Sequence, residues 1–190
     1  MFEKLSRRLT IWLIRKKVIC SKDKEIYQYG INRFCNIVLV YTTTLVLGIV
    51  FNLLYQSILF LMSFIMLRSF AGGYHASTSI KCYFLTIITV TSFLLVDKFV
   101  VIYKFIWVGL LIMFGIIILV LSPIGTSNKP LDEIERIIYK KKTIIVWFLE
   151  FSVALIFMFF NLCDFHISIV FSHFITSLAL LSEKIRNQHY

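Results

Sequence analysis

Charged side chains are scarce in this chain: 16% of its 190 residues are Asp, Glu, Lys or Arg, where a soluble domain carries about a quarter. Apolar residues make up 59% and the mean hydropathy is +0.86, far too greasy for a water-soluble fold. Two prolines and seven glycines are too few for a flexible linker, and no internal repeat is visible, so one domain is expected over residues 1–190. The four cysteines, Cys20, Cys35, Cys82 and Cys163, are scattered without a CxxC pair. That argues against a disulfide scaffold or a zinc site, and neither metal nor cofactor is expected. Acidic residues are half as many as basic ones, ten against twenty, but no DNA- or RNA-binding motif accompanies the net charge of +10. Nucleic acid is therefore not expected as a partner. The basic excess suits the cytoplasmic flanks of membrane spans and contact with anionic membrane lipid.

What the chain does contain is long apolar runs. A membrane-crossing helix needs about 20 mainly apolar residues, and runs at 36–55, 57–71, 82–96, 100–121, 143–161 and 165–181 meet or approach that length. The expected fold class is all-α: a polytopic membrane protein with about six transmembrane helices, bundled over residues 36–181. The second and third runs are short, which leaves a re-entrant or partly submerged geometry open for them. Residues 1–33 differ in kind. Phe2, Leu5, Leu9, Trp12 and Leu13 recur at helical spacing while Lys4, Arg7, Arg8 and Arg15 lie elsewhere on the wheel, the pattern of an interfacial amphipathic helix. This segment is too charged for a signal-peptide core and lacks a small-residue cleavage site, so it is expected to be retained. With six spans, every Lys and Arg except Lys98 and Lys104 falls on the side of the N-terminus. Both termini are thus expected in the cytoplasm.

Between the second and third runs lies RSFAGGYHASTSIKC, residues 68–82. Gly72 and Gly73 should stop a helix, and Ser77, Thr78 or Ser79 should cap the next one. His75 then lies in a turn and Cys82 in the first turn of a new helix. Were 75–82 one continuous helix, the two Cα atoms would stand about 10.5 Å apart, too far for easy hydrogen bonding; a break allows imidazole and thiol to meet. Lys81 and Arg68 add positive charge beside the thiol, the setting in which cysteines act as nucleophiles. A Cys/His spacing alone is weak evidence, because span cysteines and interface histidines are common. Arg68 either snorkels to the interface or grips an anion. Glu150 and His173 lie inside spans and are functional suspects for that reason; Glu150 could pair with Arg68 or a lysine, or orient His75. Residues 122–143, SPIGTSNKPLDEIERIIYKKKT, read as a long cytoplasmic loop ending in Lys140, Lys141 and Lys142.

The stretch Arg68-Ser-Phe-Ala-Gly-Gly-Tyr-His-Ala followed by Cys82, the pair Ser122-Pro123, the Asn-Lys-Pro at 128–130 and the basic run after it together resemble the accessory gene regulator B (AgrB) family of membrane peptidases. Tyr74 stands where the family often has tryptophan, and Ser122 where alanine is common. The resemblance implies a cysteine endopeptidase with Cys82 as nucleophile and His75 as general base. Its substrate would be an AgrD-like precursor, an amphipathic peptide cut on its C-terminal side through an acyl-enzyme thioester and cyclised to a thiolactone or lactone quorum-sensing peptide. Arg68, Gly72, Gly73, Ser77, Lys81, Lys129, Lys140, Lys141 and Lys142 become supporting or substrate-binding residues, the cations facing the precursor's acidic tail, with Glu150 a candidate orienting acid. The implied location is the bacterial cell membrane with the site on its cytoplasmic side. A homodimer fits the family but no residue pattern here specifies one. Two other classes compete: a peptide transporter, with Glu150 and His173 lining its path, and a non-enzymatic membrane scaffold.

Overall fold

The computed structural model describes residues 2–73, 78–101, 103–125, 131–162 and 164–188. Among them are seven α-helices and no strand: α1 (Glu3–Arg15), α2 (Lys24–Val50), α3 (Leu54–Ala71), α4 (Ser79–Phe99), α5 (Lys104–Leu121), α6 (Glu133–Phe159) and α7 (Phe165–Gln188), with a 3-10 turn at Ser21–Asp23. Six of these, all but α1, are long and apolar enough to cross a membrane. The all-α polytopic expectation holds.

The helix ends show why the boundaries differ from the apolar runs. The run at 36–55 is interrupted at Asn52, which takes the left-handed conformation (φ 60°) that asparagine tolerates. Leu53 N–H donates to Gly48 O at 2.8 Å and Asn52 N–H to Ile49 O at 3.0 Å, closing a Schellman stop. Lys17 and Asn161 end α1 and α6 in the same left-handed way. The two short runs become full helices because flanking residues extend them, Leu54–Gln56 in α3 and Ser79–Lys81 and Asp97–Phe99 in α4: α3 reaches about 27 Å and α4 about 32 Å, each a match for a hydrocarbon core of about 30 Å. The long loop expected at 122–143 is corrected. From Glu133 onward it is helix, because Asp132 accepts from Arg136 N–H at 2.9 Å and Glu133 and Glu135 meet the positive end of the helix dipole. Lys140, Lys141 and Lys142 are thus helical residues of α6. Similarly, α2 begins at Lys24, inside the segment assigned to the N-terminal arm.

The chain divides into two compact units. The first comprises residues 1–46 and 76–88. Within it α1 buries the small hydroxyls of Ser6 and Thr10 and leaves Leu5, Leu9 and Trp12 exposed, the arrangement of a helix whose apolar face meets lipid. Thr43 Oγ1 and the Tyr83 hydroxyl lie 3.1 Å apart, tying α2 to the start of α4.

The second unit comprises residues 47–75 and 89–190. Its centre is α7, the most enclosed of the spans, packed by α3, α5 and α6. Lipid gives helices no hydrophobic reason to associate, so close approach and interhelical hydrogen bonds must do it. Ser168, Ser172, Thr176 and Ser177 supply small buried positions along α7. Phe60, Phe93 and Phe171 fill one core, with the Phe60 and Phe93 centroids 4.7 Å apart. Leu67, Ala71, Ile118, Val146, Trp147 and Leu180 fill a second. Gly115 is where α5 meets α6: a methyl group there would overlap the Trp147 indole. Gly115→Ala should therefore cost about 1–3 kcal/mol of stability. Gly109→Ala, where nothing lies within 4 Å, should be neutral or mildly stabilising; thermal unfolding of the detergent-solubilised protein measures both.

Candidate active site

Gly72 donates the last bond of α3, its N–H to Arg68 O at 3.1 Å, and then turns with φ +77°, followed by Gly73 at +112°. L-residues rarely adopt either value. Space is equally restrictive. A side chain on Gly72 would strike the Ile124 carbonyl, and one on Gly73 would come within 3.2–3.3 Å of the Ala179 backbone and Cβ on α7. Gly72 also bridges to Ile124, whose N–H donates to Ala71 O at 3.1 Å. The glycine pair is therefore both a helix stop and a close-packed contact.

Thr78 is a bend and starts the next helix. Its carbonyl accepts from Cys82 N–H at 3.0 Å and its hydroxyl from Lys81 N–H at 3.3 Å, an N-cap of the expected kind. Cys82 stands in the first turn of α4 as a half-buried free thiol, and Lys81 is exposed beside it. With Thr78 a bend, α4 begins at Ser79. His75, Ser77 and Lys129 lie outside the described residues.

The remaining expected residues fall in three places. Arg68, in the last turn of α3, lays its guanidinium over the Phe64 ring, 5.3 Å from the centroid. Lys142 does the same over Phe70, also at 5.3 Å. Lys140 Nζ donates to the carbonyls of Leu119 and of Ser122, the latter at 2.8 Å. Glu150 is buried in the middle of α6. Its Oε2 accepts from Ser63 Oγ at 2.8 Å and lies 3.6 Å from His173 Nδ1; Ser63 and Ser172 hydroxyls touch in turn. Since a carbonyl only accepts, the 2.9 Å contact to Ile169 O places the His173 proton on Nδ1. Ser63 lies about 12 Å along α3 from Ala71, so Glu150 works deep in the bundle, binding α3 to α6 and α7.

Sequence reasoning missed Ser63 as Glu150's hydrogen-bond partner and Ser172 behind it, and it missed the wall that residues 122–125 form beside the turn. It also missed two cations. A pocket of about 1040 Å³ at the ends of α5, α6 and α7 is lined by residues 122–125 together with Arg136, Lys140, Lys141 and Lys184. Among the described residues Arg136, Lys141 and Lys184 have no carboxylate within ion-pair distance. Their clustering needed the helical phase of 133–142, which reading that stretch as a loop discarded. Among the described residues no three His, Cys, Asp or Glu side chains converge as a metal site.

The family model described as Accessory gene regulator B matches residues 6–180. The chain belongs to the AgrB family. Two relatives agree. AgrB-like protein 2 of Clostridium perfringens (strain 13 / Type A) is 28% identical over 138 residues, covering 69% of this chain and 64% of its own length. An AgrB-like protein of Clostridium perfringens (strain SM101 / Type A) is 27% identical over 172 residues, covering 85% and 80% respectively. No solved structure matches the chain. AgrB membership and the six apolar spans make this a multi-pass membrane protein of the accessory gene regulator system. For this AgrB-family site the glycine geometry sets a direct expectation. Gly72→Ala should lower stability by about 1–3 kcal/mol, read by thermal unfolding in detergent, through the positive φ and the Ile124 contact together.

Proposed function

We infer that this AgrB-family chain is a membrane cysteine endopeptidase acting on a short AgrD-type precursor peptide. The observation that carries the reading is Cys82. It is a free, half-buried thiol in the first turn of a capped helix, the first helix after the Gly72–Gly73 stop, in a chain whose family match runs over residues 6–180.

His75, two residues past Gly73, takes the thiol proton as Cys82 Sγ attacks the scissile carbonyl. Collapse of the tetrahedral adduct breaks the C–N bond, and the C-terminal fragment leaves as an amine carrying the proton from His75. The remaining peptide is held as a thioester on Cys82. A thiol or hydroxyl within that peptide then displaces Cys82 from the acyl carbon, closing the ring and restoring the enzyme thiol. With a peptide thiol, a thioester is exchanged for a thioester, so no external energy source is needed. Water competes at the thioester stage, which favours a site at the membrane edge.

Binding follows charge. The acidic tail of the precursor suits the cations Arg136, Lys141 and Lys184 of the basic pocket, together with Lys129 and Lys142; Arg68 and Lys81 serve nearer the scissile bond. In this reading these residues, and both termini, face the cytoplasm, which the distribution of Lys and Arg supports.

Co-expression with a precursor gene tests the chemistry. Cys82→Ala and His75→Ala should each abolish cleavage while the protein remains in the membrane, and normal cleavage by either variant removes the assigned pair. A mild alkylating agent should modify Cys82 ahead of Cys20, Cys35 and Cys163. The charge assignment has its own signature: Lys141→Gln combined with Lys142→Gln should raise the precursor concentration needed for half-maximal cleavage several-fold, with turnover at saturation unchanged.

A further inference from the structure

Pro123 interrupts the hydrogen-bond ladder of α5. The Leu119 carbonyl would ordinarily accept from the backbone N–H of residue 123, and proline has none. Lys140, from the second turn of α6, supplies the missing donor: its Nζ bonds Leu119 O and, at 2.8 Å, Ser122 O. A cation is well placed there, since the C-terminal end of a helix carries partial negative charge. Beyond this clamp the chain runs straight to the glycine turn. Ile124 N–H donates to Ala71 O at 3.1 Å, and Ile124 O occupies the position that a Gly72 side chain would take. The far end is held by α7, where Asn187 Nδ2 donates to Gly125 O at 3.4 Å and Ala179 backs Gly73. Residues 122–125 thus form a strap that connects α5, α6 and α7 to the end of α3.

We propose that Lys140 is a positioning residue: by completing the end of α5 it holds the 122–125 strap, and through Ile124 it fixes the glycine turn that leads to His75. Its neighbours differ in kind. Lys141 and Lys142 are exposed and donate to no carbonyl among the described residues, so they remain available to a substrate. Three consecutive lysines of identical chemistry therefore divide into one that holds the strap and two that do not. The consequence for catalysis rests on the peptidase reading above; the mechanical link from Lys140 to the glycine turn does not.

The test uses the full-length protein in lipid nanodiscs, comparing wild type with Lys140→Gln, Lys140→Arg and Lys141→Gln. Amide hydrogen exchange is followed in peptides covering 69–73 and 119–125, and steady-state cleavage with a synthetic precursor peptide. Lys140→Gln should accelerate exchange in both peptides by about tenfold or more. It should lower kcat on the order of tenfold to a hundredfold while KM stays within about twofold. Lys140→Arg should restore both, since a guanidinium can donate to the same carbonyls. Lys141→Gln should leave exchange unchanged. Wild-type exchange at 69–73 in Lys140→Gln, or a raised KM with unaltered kcat, overturns the proposal. If the wild-type protein cleaves no precursor, the peptidase reading falls, and the exchange measurements alone decide whether Lys140 controls the turn.

Discussion

Lipid offers no hydrogen bonds, so a polar group in a span gains most when another helix supplies its partner. Several contacts of the second unit are of that kind. Glu150 takes Ser63 and His173, Ser172 reaches Ser63, and Leu119 takes a lysine where proline has removed the backbone donor. Each of these contacts joins two or three helices, so meeting a local need fixes a global arrangement. The helix that supplies most of the small and polar positions, α7, is the one the others enclose.

The glycine turn shows the same economy. A helix stop requires only that the backbone reach a left-handed conformation, and asparagine achieves this at 52 and 161. Two glycines in succession do more: they bring the chain so close to Ile124 and to Ala179 that no side chain fits. The turn is thus held from two directions by elements remote in sequence. Thr78 then restarts the helix with a cap, and Cys82 follows within that first turn. Both features of the stretch, the stop and the restart, are encoded in residues that carry no chemistry of their own.

Much of this was legible in the sequence because the signals were strong and local. Six apolar runs give six spans, the helical spacing of Phe2, Leu5, Leu9 and Trp12 gives α1, and glycine and threonine mark the stop and the cap on either side of His75. What escaped was set by contacts between distant segments. The start of α6 was hidden because residues 133–142 are polar enough to read as loop, although Asp132, Glu133 and Glu135 before a basic stretch form a recognisable helix start. The Glu150–Ser63–Ser172 chain was hidden because serines at 63 and 172 look like ordinary span residues until three helices pack. Lys140 was grouped with Lys141 and Lys142 by composition. The clue that separates it is Pro123, four residues after Leu119, which announces an unsatisfied carbonyl without naming its donor.

The first helix carries a consequence of another sort. By burying Ser6 and Thr10 and turning Leu5, Leu9 and Trp12 outward, α1 leaves its apolar half exposed among the described residues. A membrane surface would cover that face much as a second subunit would. In that setting the hold on the N-terminal arm would be a joint property of the chain and its lipids: a change in headgroup charge or acyl packing would act on this segment as a point mutation does in a protein core.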